Sequence, residues 1–181
     1  MTGTHVARLW QRMDRAERAV CLRVNLGCRR SLARAFFVAA SRLGDGLVWY
    51  ALIASLALTG GEAGAAAALE MAVAGAVGAL LYKVLKQRLV RERPCVSHEG
   101  ILAGTAPLDR YSFPSGHTLH AVCFTVLAVS HDASLALVLV PLALAIAASR
   151  VVLGLHYPSD VAAGALIGAS LAVVTTGFWP I

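Results

Sequence analysis

The sequence predicts an all-α polytopic transmembrane bundle of about five spans, six if one short segment also crosses, with an N-terminal amphipathic helix at the membrane interface. Three observations predict it. The 181 residues are 58% hydrophobic and 14% charged, whereas a soluble domain is nearer half apolar and a quarter charged. Mean hydropathy is +0.70, and the apolar residues gather into runs of near-bilayer length. The basic residues are sparse in those runs and fall mainly into two stretches, residues 1–42 and a short segment at and after the end of the second run.

Residues 5–42 read as amphipathic helix. Leu9, Met13, Ala16, Val20 and Val24 recur at helical spacing, with Arg8, Arg12 and Arg15 on a neighbouring stripe. Such a helix either lies in the interface or packs against a bundle. The chain therefore divides into a basic segment, 1–42, and a single transmembrane domain, 43–181. The N-terminus is too charged for a cleavable signal peptide.

Five apolar runs follow, at about 43–60, 64–84, 116–130, 133–155 and 160–179. The second, fourth and fifth approach the roughly 20 residues needed to cross a bilayer, while the first and third are short. Gly and Ala crowd the second and fifth, which lets membrane helices approach closely. Glu70 lies near enough to the start of the second run to reach the headgroups. Pro141 predicts a kink in the fourth.

Alternating crossings bring the end of span two, the start of span three, the end of span four and the start of span five to one face. Three groups of unusual residues meet there. They are Lys86 with Arg93-Pro94, Pro114-Ser115-Gly116-His117, and Ser149-Arg150 with His156 and Asp160.

The chemistry of this set is specific. Lys86, Arg93 and Arg150 would repel each other unless an anion sat between them, and Arg forks match phosphate oxygens. Ser115 and Gly116 open a helix, whose N–H groups favour an anion. Asp160, four residues after His156, would fix that imidazole and free its other nitrogen to attack phosphorus. His117, opposite, would serve as general acid and then base. Singly, each part has a plain structural reading: flanking charge, helix cap, interfacial histidine. Arg150 resists it, because a charge at the end of a 23-residue apolar run is costly without a partner. His98, His120 and His131 read as structural or surface residues, and Asp109 and Arg110 as residues shaping the entrance. Cys21, Cys28, Cys95 and Cys123 form no metal or C-x-x-C spacing.

At these residues the chain resembles the type 2 phosphatidic acid phosphatase superfamily, whose signature is K-x6-R-P, P-S-G-H and S-R-x5-H-x3-D. Here it reads KQRLVRERP (86–94), PSGH (114–117) and SRVVLGLHYPSD (149–160). The resemblance implies a lipid phosphatase without metal or other cofactor. In it Lys86, Arg93, Ser115, Gly116 and Arg150 hold phosphate, His117 is the acid, His156 the nucleophile and Asp160 its orienting partner.

The expected partners are a phosphorylated lipid and the bilayer, with no nucleic acid. Undecaprenyl pyrophosphate is the first substrate expected, since the chain is small with little outside the core. Phosphatidate and phosphatidylglycerol phosphate are the alternatives. A non-catalytic lipid-phosphate binder would need the cations but not the histidine pair. The resemblance places the chain in a bacterial inner membrane with the site toward the periplasm. The positive-inside rule points the basic N-terminal face to the cytoplasm. A crossing by residues 28–44 would ease that conflict.

Overall fold

A computed structural model describes residues 3–178, with side chains from Asp14 to Gly177. The part of the amphipathic stripe formed by Arg8, Leu9, Arg12 and Met13 lies outside the described side chains.

The chain is helical throughout its described elements. In order these are α1 (Gly3–Asn25), α2 (Ser31–Leu43), α3 (Leu47–Thr59), α4 (Gly61–Arg88), α5 (Pro94–Ser97), α6 (Gly116–His131), α7 (Ala136–Val152) and α8 (Pro158–Phe178). Three stretches are long and apolar enough to span a membrane: α4, Ala133–Val152 with α7, and Pro158–Gly177 of α8. The 28 residues of α4 extend about 42 Å, well over the roughly 30 Å of a hydrocarbon core. Its last turn, with Lys86, therefore reaches the interface.

The first crossing differs from expectation. The run at 43–60 yields only the 13-residue α3, about 20 Å long. It continues α2 through a 46° bend at Gly44–Gly46, where Gly46 has φ 124°. Residues 28–44, weighed as a sixth crossing, contribute α2, which is long and apolar enough to cross only together with α3, as a bent pair. The single helix expected over 5–42 is likewise two helices. It breaks at a 3-10 turn, Leu26–Arg29, because buried Asn25 turns inward. Asn25 Nδ2 donates to Leu102 O and Val152 O, both at 2.9 Å, and its Oδ1 accepts from Leu102 N at 2.8 Å. The N-terminal segment is thereby tied to the end of α7 and to the connector at Leu102, with Cys21 buried and Val20 and Val24 exposed.

Helix α6 has 16 residues and sits at the centre, enclosed by α4, α7 and α8. Its contact with α8 depends on Gly164 and Gly168, one turn apart. A Cβ at Gly168 would meet Leu119 O at 2.3 Å, and one at Gly164 would meet Ser115 O at 2.5 Å. Close backbone approach of this kind is how small residues join membrane helices. The core below the site contains Trp49, Met71, Phe124, Leu127 and Ile146. Leu58, Leu137 and Leu166 point outward, as lipid-facing residues do.

Helix α7 runs through Pro141 as one helix. Glu70 corrects the sequence reading. The second helix begins at Gly61, which puts Glu70 more than two turns inside it, buried at 2% exposure. Its Oε1 has no hydrogen-bond partner among the described residues, so it does not reach the headgroups.

Candidate active site

A cleft of about 160 Å³ opens at one end of the bundle. The bend before α3 lines it with Gly44 and Asp45, and the end of α4 with Tyr82 and Lys86. The following connector adds Arg93, Leu108 and Asp109. Gly116, His117 and His120 come from the start of α6, Arg150 from the end of α7, and His156 from the turn before α8. Residues distant in sequence meet here because the short α5 and the 98–115 connector fold back over the helix ends. Gly104 N donates to Leu153 O at 3.0 Å and Cys95 N to Gly154 O at 3.1 Å.

His156 is buried. Its Nε2 stands 3.3 Å from Arg93 Nη1. Its Nδ1 lies 3.6 Å from Asp160 Oδ2, within ion-pair reach and just beyond hydrogen-bond distance. Burial is the largest influence on the ring. Together with the Arg150 and Arg93 cations it outweighs Asp160 and pushes the imidazole down to about 3. The ring is therefore neutral at physiological pH, with a nitrogen lone pair facing the cations. Asp160 is fully buried, and its Oδ2 also accepts from Tyr157 N at 2.8 Å. Gly154, with φ 70°, makes the tight turn that carries His156 back to the cleft.

The cations surround Asp109. Lys86 Nζ reaches its Oδ1 at 2.5 Å and its Oδ2 at 2.6 Å, and Arg93 Nη2 reaches Oδ1 at 2.6 Å. Tyr82 donates its hydroxyl to the same carboxylate. Burial opposes ionisation of Asp109, but the Lys86 and Tyr82 hydrogen bonds and the two cations win, holding its carboxyl at about 2. Arg93 is fixed further by Asp109 O at 2.9 Å and Leu155 O at 2.7 Å.

Arg150 is 2% exposed. It donates to Ser41 Oγ of α2, while its Nε has no hydrogen-bond partner among the described residues. A buried guanidinium with donor capacity to spare beside an open cleft is suited to an anion. His117 Nε2 pairs with Asp45 Oδ1 at 2.6 Å, which holds that ring at the mouth.

Of the residues singled out from sequence, Lys86, Arg93, Gly116, His117, Arg150 and His156 line the cleft, and Asp160 stands behind His156. Ser115 does not line it. Its N–H donates to Asp160 O at 3.0 Å and its hydroxyl pairs with Thr118 at 3.0 Å. Those groups position the helix end instead of contacting the cleft. Gly116 keeps the Tyr82 ring close, since a Cβ there would meet that ring at 2.7 Å.

Sequence reasoning missed Ser41, Asp45 and Tyr82, and gave Asp109 little weight. It read His120 as structural or surface, yet His120 borders the cleft while bonding Gly116 O at 2.9 Å through Nδ1. Only Asp109 carried a signal, an acid three residues before the S-F-P-S-G-H stretch that begins at Ser112.

The fold around this cleft recurs in known proteins. The family model of the PAP2 superfamily matches residues 67–180. The chain belongs to the PAP2 superfamily. Among solved structures, Aquifex aeolicus LpxE superposes with a TM-score of 0.75 at 28% identity, covering 86% of this chain and 92% of that one. The first transmembrane PAP2 type phosphatidylglycerolphosphate phosphatase from Bacillus subtilis gives a TM-score of 0.73 at 26% identity, covering 91% and 85%. A curated relative, decaprenylphosphoryl-5-phosphoribose phosphatase of Mycobacterium tuberculosis, is 39% identical over 106 residues. That match covers 58% of this chain and 57% of the relative, so the chain spans little more than half the length of the curated relative it matches. The transmembrane PAP2 fold seen in these neighbours is the fold of this chain.

Proposed function

We propose that this PAP2 protein is a membrane enzyme that removes a phosphate from a lipid through a phosphohistidine on His156. The observation that carries the reading is the buried His156 Nε2 3.3 Å from Arg93, in a cleft that Lys86 and Arg150 also line. In this reading the phosphoryl group takes the place of the Asp109 carboxylate, held by Lys86, Arg93, Arg150 and the Gly116 end of α6. The His156 Nε2 lone pair forms a bond to phosphorus as the bond to the lipid oxygen breaks, and His117 gives that oxygen a proton. Asp160 holds the Nδ1 side of the ring throughout. Water then attacks phosphorus, His117 takes its proton, and inorganic phosphate leaves with His156 restored. The cations stabilise charge on the transferring oxygens in both steps.

The cleft has room for a phosphoryl group and not for a lipid tail. An apolar groove between α3 and α4 adjoins it, sharing Gly44, Asp45 and His120 and continuing past Trp49, Ile53 and Gly75. The lipid chain lies there in this reading, which favours a substrate entering from the bilayer. Undecaprenyl pyrophosphate is the first substrate to test, followed by phosphatidylglycerol phosphate, phosphatidate and the decaprenylphosphoryl-5-phosphoribose that the mycobacterial relative's name indicates. The site faces the periplasm of a bacterial inner membrane. Impermeant maleimide should then label Ala106→Cys, at an exposed connector position, in intact spheroplasts. Labelling only after lysis would reverse the orientation.

Phosphate release from that lipid panel by the purified protein in detergent, with EDTA present, tests the reaction. Turnover that disappears in His156→Ala supports it. Tight phosphate binding without turnover on any lipid would instead favour a lipid-phosphate binding protein.

A further inference from the structure

The signature leaves Arg91 as an unspecified position between Lys86 and Arg93, and the cleft does not include it. Its contacts nevertheless lead to the nucleophile. Arg91 Nη1 donates to Asp160 Oδ1 at 2.8 Å and to Ser159 Oγ at 2.7 Å. Asp160 Oδ2, the other oxygen of that carboxylate, is the one facing His156. Arg91 Nη2 donates to Glu17 Oε2 of α1 at 2.6 Å and lies 3.5 Å from Asp14 Oδ1. The guanidinium stacks over the Tyr157 ring at 3.9 Å. Glu17 is itself fixed, because its Oε1 accepts the Ser159 N–H in the first turn of α8 at 2.7 Å.

The physics makes this chain of contacts directional. Asp160 is wholly buried, and on its Oδ2 side it meets the Tyr157 N–H at 2.8 Å and the His156 ring at 3.6 Å but no arginine or lysine. An isolated buried carboxylate is costly and would take up a proton or turn away. A protonated Asp160 would no longer accept a proton-bearing Nδ1 cleanly, and the His156 ring would lose its fixed tautomer. Arg91 supplies the missing charge and occupies the second oxygen, which leaves Oδ2 aimed at His156. Arg91 in turn is held by an acid from α1, outside the residues that the family model matches.

We propose that Arg91 is a positioning residue for the reaction, keeping Asp160 ionised and oriented toward His156, and that Glu17 of the N-terminal helix holds Arg91 in place. This rests on the reading of His156 as nucleophile. It makes α1 part of the working site, so docking of that helix and turnover are coupled.

The test uses the full chain and the fastest lipid of the panel. In Arg91→Ala, kcat should fall about 30- to 100-fold, as losing an outer partner of a reacting group does, with KM within about threefold. Competitive inhibition by inorganic phosphate should stay within about threefold of wild type, since Lys86, Arg93 and Arg150 are untouched. Added methylguanidinium should restore part of kcat in Arg91→Ala, and Glu17→Gln should show a smaller loss of the same kind. A variant that loses phosphate inhibition along with turnover would show that Arg91 merely holds the fold, and would overturn the proposal. So would full kcat in Arg91→Ala, or a loss that methylguanidinium leaves unchanged. A wild-type chain inactive on every lipid would instead sink the phosphatase reading, and the role of Arg91 with it.

Discussion

Asp109 offers a prediction in which one interaction is read twice with opposite sign. Its carboxylate sits among Lys86, Arg93 and Tyr82, in the place the mechanism gives to phosphate. Substrate must displace it. Holding this carboxyl at about 2 instead of 3.8 corresponds to about 2.5 kcal/mol in favour of the charged form. The side chain is 31% exposed, and solvent screening reduces the figure to roughly 1–2 kcal/mol. Asp109→Asn keeps the shape and one acceptor oxygen but removes the charge. The free protein should lose about that much stability, and inorganic phosphate should bind about 5- to 30-fold more tightly because it no longer competes with a carboxylate. Isothermal titration with phosphate, alongside thermal melting at pH 7, measures both quantities. The folded-state pKa is depressed, so the stabilisation is present above about pH 4 and is lost as pH falls toward 2. The melting difference between wild type and variant should shrink over that window. Phosphate affinity that stays the same or weakens in Asp109→Asn would refute the displacement argument.

Three further outcomes follow from the same geometry. Arg150→Met should cost about 10²- to 10³-fold in kcat/KM, by loss of a charge-stabilising contact, yet melt no lower than wild type, because it removes a buried cation whose Nε has no hydrogen-bond partner among the described residues. A clear drop in melting temperature would count against that view of Arg150. His156, pushed down to about 3 from an ordinary 6.5, binds fewer protons folded than unfolded, so stability should fall by up to about 1.4 kcal/mol per pH unit as pH drops from 6.5 toward 4. His156→Gln should flatten that slope in melting curves, and an unchanged slope would remove His156 as its source. Gly168→Ala should separate α6 from α8 and cost about 1–3 kcal/mol, as overpacking does. Melting within error of wild type would show that the helices adjust freely.

Most residues lining the cleft were legible in the sequence because their chemistry is local. Lys86, Arg93, His117, Arg150 and His156 are expensive in an apolar chain, and helical crossings alone bring them to one face. Asp160 was legible through its spacing to His156. The partners Ser41, Asp45 and Glu17 were not. They come from the N-terminal region, whose course depends on one buried side chain, Asn25, bonding across to Leu102 and Val152. Periodicity reports an amphipathic face but not a break in it, so residues 5–42 read as one helix. The bend at Gly44–Gly46 escaped for the same reason, since hydropathy averages across a three-residue interruption. Ser115 was placed by the usual character of helix N-termini. Its N–H was already taken by the Asp160 carbonyl, a pairing between α6 and α8 that only tertiary packing creates.

The most direct test of the central claim is to trap the phosphoenzyme. A lipid substrate labelled in its phosphate should be mixed with the protein and quenched in alkali within the first turnover, and the labelled peptide mapped. The account predicts an alkali-stable, acid-labile label on the peptide containing His156, absent from His156→Ala. Label on another residue, or single-turnover phosphate release with no phosphoprotein at any time, would contradict it.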